Sequence, residues 1–340
     1  MSISMGRVAV LISFLFLVAS AASAEGGRIY GKIYTDRNDV LQGVIRWDKN
    51  EASWDDFLDG NKVKNTHDET RHRRKYGDDK REISIFGIVV FNEGGTWSGV
   101  SQSGIAFGHI KKLTAAGSDK VELLLKSGEE VTFRNGSTDF GNGMRELIVE
   151  TEDQGELELD WSDIDYIEIM DGGDVKSDFG RRIYGTVVTS RGGEFSGWIA
   201  WDADEMFYTD VIDGEESGHK RKIKFSQIAS IERMSSQASL VITRENQKIR
   251  LSGSNDIDSG NRGIVISDRK LGRVSVPWDE FEEVQIKEPP TDAYVRYDDF
   301  DGGRRISGTV YDDEDNRYSG YIRWDNDEEY TWETLDGSYR

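Results

Sequence analysis

Three Trp-Asp pairs, Trp47-Asp48, Trp201-Asp202 and Trp324-Asp325, are the residues of this sequence best suited to hold a ligand. A sugar ring can stack on an aromatic face and hydrogen-bond to the carboxylate beside it. The same pair can instead fill a core and begin a turn, and recurrence at matching positions favours that role. Oxygen-rich loops come next. Asp139 and Asn142 lie among glycines, as do Asn255, Asp256, Asp258 and Asn261, while Asp312, Asp313, Glu314 and Asp315 crowd one turn. Calcium takes about six to eight oxygens, so it is the one cofactor these loops could hold. Neither of the two Gly-flanked loops ends in the bidentate Glu of a twelve-residue calcium loop, and Asx-rich turns with Gly are ordinary β connections. The expectation is therefore no cofactor, with calcium as the exception to test.

Catalytic constellations are missing from the sequence. There is no Cys, which removes disulfides, thiolate nucleophiles and Cys-ligated zinc. His67 and His72 stand in a basic stretch at no metal spacing, and His109 and His219 lie in unrelated contexts. No Gly-x-Ser-x-Gly elbow and no phosphate-binding glycine motif occurs. Paired carboxylates could hydrolyse glycosides, but 64 acidic residues make such pairs too common to single one out. A non-enzymatic protein is expected, with a hydrolase using dispersed carboxylates as the third choice.

Residues 1–24 read as a cleaved signal peptide. Arg7 precedes an apolar run from Val8 to Val18, and Ala-Ala-Ser-Ala at 21–24 fits the cleavage pattern before Glu25. That run is short for a bilayer span, and no later one is long enough. The product is expected to be secreted or periplasmic, with no membrane span. The formal charge of −21 repels nucleic acid and favours a basic protein partner.

What must position these residues is a set of internal repeats. Segment A occurs three times without gaps, at 28–60, 182–214 and 305–337. Its frame is Arg-Ile-x-Gly, a second Gly, Ile-x-Trp-Asp-x-x-Glu and Asp-Gly. Segment B occurs twice, at 121–169 and 238–286, and aligns GSTDFGNG at 136–143 with GSNDIDSG at 253–260. The A tails IAFGHIKKL at 105–113 and IKFSQIASI at 223–231 share a pattern with the B ends WSDIDYI at 161–167 and WDEFEEV at 278–284. A and B therefore derive from one small building block. Residues 61–80 read as a mobile basic loop, and 86–99 as a shortened A copy. The units are expected at 25–113 (with that insertion), 114–170, 181–233, 234–287 and 304–340. The last lacks the closing tail, so it is a truncated cap or borrows a strand from elsewhere.

Apolar residues alternate with period two, as in Ile183, Gly185 and Val187 or Phe195, Gly197 and Ile199, which specifies half-buried strands. Gly192-Gly193, Ser127-Gly128 and Gly155 mark hairpin turns. Strand, Gly turn, strand with Gly and Asp, then a short closing strand resembles the Sm-like or SH3-like small barrel, best in 185–216 with 223–232. The resemblance implies an all-β fold of tandem small barrels packed together. β-propeller blades are the rival, because they also repeat Trp-Asp pairs. In its RNA-binding form the family would imply an RNA groove, which export and the negative charge oppose. The expected function is an exported scaffold acting by protein contact in the cell envelope or outside the cell. The alternative is a glycan-binding module, with or without calcium.

Overall fold

The structure is a computed structural model that describes residues 27–63, 84–85, 88–89, 100–173, 175–324, 328–335 and 337. The leader at 1–24, residues 64–80 of the basic stretch with His67 and His72, nearly all of the shortened copy at 86–99, and Asp325 lie outside the described residues. The described chain is antiparallel β structure joined by turns and three-residue 3-10 segments. No helix among the described residues is long and apolar enough to cross a membrane.

The first A–B stretch forms β1 (Tyr30–Thr35), β2 (Val40–Trp47), β3 (Phe57–Val63), β4 (Ser84–Ile85), β5 (Ile88–Val89), β6 (Val100–Ala106), β7 (Ile110–Ala115), β8 (Lys120–Leu125), β9 (Glu130–Arg134), β10 (Leu147–Thr151), β11 (Gly155–Leu159) and β12 (Ile164–Ile169). The second forms β13 (Tyr184–Thr189), β14 (Glu194–Ala200), β15 (Val211–Glu216), β16 (His219–Lys224), β17 (Ile228–Ser235), β18 (Ala238–Thr243), β19 (Lys248–Ser252), β20 (Ile264–Asp268), β21 (Gly272–Val276) and β22 (Phe281–Ile286). The third A copy contributes β23 (Ser307–Tyr311) and β24 (Arg317–Tyr321).

Apart from the short β4–β5 pair, the first stretch makes one ten-stranded sheet, in the order β11-β10-β2-β1-β12-β7-β8-β9-β3-β6. The second runs β21-β20-β14-β13-β22-β17-β18-β19-β15-β16. Matched by repeat position, from β1 with β13 to β12 with β22, the two orders are the same. Four-stranded propeller blades, the rival expectation, are therefore not what this chain forms. A and B do not sit side by side either. β1 and β2 of A are flanked by β12 and β10 of B, while β3 of A lies beside β9 of B. Each half of a sheet thus takes strands from both segments.

Local chemistry explains the turns. Gly128, Gly155 and Gly192 hold φ of +88°, +71° and +82°, which a hairpin turn needs and a side chain resists. The four matching aromatic–x–x–apolar motifs each form a tight turn before the last strand of their segment, and each buries its aromatic: Phe107, Trp161, Phe225 and Trp278. Two apolar cores result, one per sheet, around Trp47, Phe107 and Phe133 and around Trp201, Phe225 and Phe281. A smaller cluster of Val44, Ala52, Phe179, Ala200, Met206 and Phe207 joins the two sheets. Residues 288–304 lead back to the first sheet, where the Tyr297 hydroxyl donates to the Ile110 carbonyl at 3.0 Å and Ser127 donates to the Gly302 carbonyl at 2.9 Å.

Candidate functional site

The Trp-Asp-x-x-Glu motif is a tight loop. Trp47 N–H donates to the Glu51 carbonyl at 2.7 Å and Glu51 N–H returns to the Trp47 carbonyl at 3.0 Å. Asp48 and Lys49 bridge the gap at φ of +42° and +69°, and Asp202 and Ala203 do so at +48° and +62°. Asp tolerates this left-handed backbone better than most side chains, because it can bond locally. Trp47 and Trp201 then point inward and are 0% exposed. Their indole N–H groups donate to the carbonyls of Asp139 and Asp256, at 2.6 and 2.7 Å. Asp48 and Asp202 are buried beside them, accepting the backbone N–H groups of Arg145 and Arg262. Neither tryptophan presents a ring to a sugar. Of the residues read as a ligand surface, five are described: Trp47, Asp48, Trp201 and Asp202 are internal, and Trp324 is exposed, at 61%.

The oxygen-rich B loops serve the same joint. The Asp139 carboxylate accepts the Asp59 N–H at 2.6 Å, and Asp256 accepts the Asp213 N–H at 2.7 Å. Asp258 accepts from Gly260 N–H, and the Asn261 side chain from Gly263 N–H. Each of these side chains thus gives one oxygen to a backbone amide. Asp202, Asp204 and Glu205 do bring carboxylate oxygens within 4.8 Å of one another. Guanidinium groups occupy that cluster: Arg262 pairs with Asp202 at 3.0 Å and also with Asp204, and Arg145 pairs with Asp204 at 2.9 Å.

A second device was not visible from the motif frame. In every A copy an acid caps the turn after the Trp-Asp loop with one oxygen and holds a cation of a neighbouring repeat with the other. Asp56 Oδ2 accepts the N–H groups of Ala52 and Ser53 at 2.8 Å, while Oδ1 meets Arg182 at 3.0 Å. Asp210 Oδ2 accepts those of Met206 and Phe207 at 2.8 and 2.9 Å, and Oδ1 meets Arg46 at 3.1 Å. Glu333 accepts those of Glu329 and Tyr330 at 2.6 and 2.7 Å and pairs with Lys62. The aligned column Asp56, Asp210, Glu333 could have revealed it.

A cleft of about 410 Å³, open mouth included, lies on this seam among Glu51, Asp56, Arg182, Trp198, Ala200 and Arg273. Ala200 holds the position that Arg46 holds in the first copy, so its methyl leaves space that a guanidinium fills on the other side. Asp56 is matched by Arg182 and Asp59 by Arg273, at 3.0 and 2.7 Å. Burial, with Asp139 nearby, holds the Glu51 carboxyl well above the usual carboxylate range. Burial likewise pushes Glu205 up to about 9 and Asp256 up to about 6. The cleft therefore offers an acid whose burial favours its protonated form, beside matched ion pairs. Of the described histidines, His109 accepts the Gly302 N–H at 3.1 Å, and burial lowers its pKa, while His219 is exposed.

The third A copy keeps the local geometry and loses the cover. Gly308 faces Gly320 just as Gly31 faces Gly43 and Gly185 faces Gly197. Trp324 and Glu328 exchange the same two backbone hydrogen bonds, at 2.8 and 3.1 Å. Yet Ile33 and Val187 are fully buried where Val310 is 49% exposed, and Leu58 and Ile212 are fully buried where Leu335 is 70% exposed. Val44 and Trp198 are buried where Tyr321 is 72% exposed. The cause is visible in the pairing: among the described residues β23 and β24 form a two-stranded sheet with no B strand on either side.

No family model matches this chain, and no curated protein or solved structure matches it either.

Proposed function

We propose that the chain is a non-enzymatic scaffold of Sm-like or SH3-like β halves, secreted or periplasmic, that works by contact with a protein through its third repeat. One observation carries this reading: apolar positions buried in both complete copies lie open in the third at Val310, Tyr321, Trp324 and Leu335, with Tyr311 and Tyr318 exposed on the same hairpin. Large exposed apolar groups gathered on one element mark interaction surfaces. Among the described residues no further strand pairs with either edge of this hairpin, so its outer main-chain groups are open to strand addition. Asp313, Glu314 and Asp315 are exposed at the hairpin tip and suit a basic partner. The barrel resemblance is supported by the five-stranded halves, each with a short turn before its closing strand. A photo-crosslinking residue at position 321, with exposure to envelope extract, tests the reading. It predicts a discrete protein adduct that disappears in Trp324→Ala/Tyr318→Ala. Adducts that survive the double substitution contradict it.

A glycan-binding role has one observation in its favour, the exposed rings of Tyr318, Tyr321 and Trp324. Calorimetry against cell-wall and plant polysaccharides, with and without chelator, separates the two. Heat that is lost in Trp324→Ala favours the sugar, and no heat leaves protein contact.

A further inference from the structure

We infer that the third repeat is completed by a strand–strand–turn–strand segment of another polypeptide, built like residues 253–287, which adds one strand beside β23 and one beside β24. This rests on the third repeat being a protein-contact surface and names what makes the contact.

The two complete copies show what covers these strands. β1 pairs with β12, Gly31 opposite Ile169, and β2 pairs with β10, Gly43 opposite Thr151. β13 pairs with β22, Gly185 opposite Ile286, and β14 pairs with β20, Gly197 opposite Asp268. At all four glycines the added strand comes too close for a side chain. A Cβ on Gly43 would stand 1.9 Å from the Glu150 carbonyl oxygen, and one on Gly197 would stand 2.0 Å from that of Ser267. On Gly31 and Gly185 the distances to Glu168 and Gln285 oxygens would be 2.6 and 2.3 Å. The third repeat keeps both glycines without that reason. Among the described residues, a Cβ on Gly320 would meet nothing within 4 Å, and one on Gly308 only the Ile322 Cδ1 at 3.0 Å. Glycine in a strand costs stability and contributes no packing. Its presence here, at both positions where a B strand approaches, fits a backbone that arrives from outside.

The surface is already shaped for that arrival. The Thr309–Ser319 hydroxyl pair, at 2.9 Å, repeats the Thr186–Ser196 pair at 2.8 Å. The Trp324 loop is closed like its counterparts, so the incoming strands need not pay for ordering their receptor. Strand addition to an open sheet edge supplies main-chain hydrogen bonds, and the alternate side chains supply selectivity. The partner must therefore carry an apolar alternation like Ile264 and Ile266. It must also carry a loop like Ser254–Asp256, whose carbonyl can take the indole N–H of Trp324. A second copy of this chain fits less well. These 340 residues hold three A segments and two B segments, so a copy that lends a B segment bares one of its own A segments.

The full chain can be tested with residues 253–287 as the probe, supplied free and also tethered after Arg340 by a flexible Gly/Ser linker. Tethering raises the local concentration to the millimolar range, so a weak or poorly folded free peptide does not decide the result. The readout is acrylamide quenching of Trp324, taken as the difference from Trp324→Phe. The tethered probe is expected to shield Trp324, and Gly320→Val to restore quenching. Binding of the free probe should weaken by at least about tenfold in Gly320→Val, the weight of one steric clash. The unfolding midpoint of that variant without probe should match the parent. Trp324 left open by the tethered probe overturns the inference, as does shielding that survives Gly320→Val. So does self-association of the parent chain that Gly320→Val abolishes, because the occupant is then a second copy. If crosslinking at position 321 captures a protein equally well in Gly320→Val, strand addition fails while the contact surface stands.

Discussion

At the residue scale, the same tryptophan has two fates. Trp201 is enclosed and its N–H is satisfied by Asp256, whereas Trp324 stands in water. Trp201→Ala should cost about 3–5 kcal/mol, the usual penalty for emptying a large aromatic site. Trp324→Ala should stay within about 0.5 kcal/mol of the parent. Urea midpoints of the two variants check both. Glu205 gives a pH signature. Its carboxyl sits at about 9 in the folded chain because of burial, with Asp204 and Asp256 adding to it, against an ordinary value of 4.5. Between those values the folded chain keeps a proton that the unfolded chain has released. This group's contribution to stability therefore declines as pH rises through that window. Glu205→Gln, which stays neutral, should equal the parent near pH 4 and exceed it by about 1–2 kcal/mol at pH 8. Denaturation at the two pH values measures the difference.

At the element scale, glycine pairs decide whether strands can meet. Gly197→Ala places a methyl at 2.0 Å from the Ser267 carbonyl oxygen, so β14 and β20 must part. A loss of about 2–3 kcal/mol is expected, with faster amide exchange along β20. The strands and hairpins themselves were legible from alternation and from Gly128, Gly155 and Gly192. Their partners were not. Period two tells which face a residue occupies, but says nothing about whether β2 lies beside β3 or beside β10. The interleaving of A with B was for that reason hidden. The tryptophans were legible as recurring positions, yet which loop encloses them depends on that interleaving. So the three Trp-Asp pairs looked equivalent, although among the described residues a B loop receives Trp47 and Trp201 and none receives Trp324.

At the scale of the whole molecule, the capping acids couple one repeat to the next. Arg46 and Asp210 are largely enclosed, with side chains 14% and 16% exposed. Arg46→Ala leaves the Asp210 carboxylate without its cation and should cost on the order of 2–4 kcal/mol, somewhat less than a fully buried pair. Both sheets keep their own cores, so calorimetry should show one transition in the parent separate into two. The third repeat is the same unit without, among the described residues, its covering strands. Hydrogen exchange on the full chain tests this most directly. Amides of β24 are predicted to exchange far faster than those of β2 and β14, and to slow toward them when residues 253–287 are tethered. Amides of β24 that are as protected as those of β14 in the untethered chain, or unchanged by the tether, would contradict it.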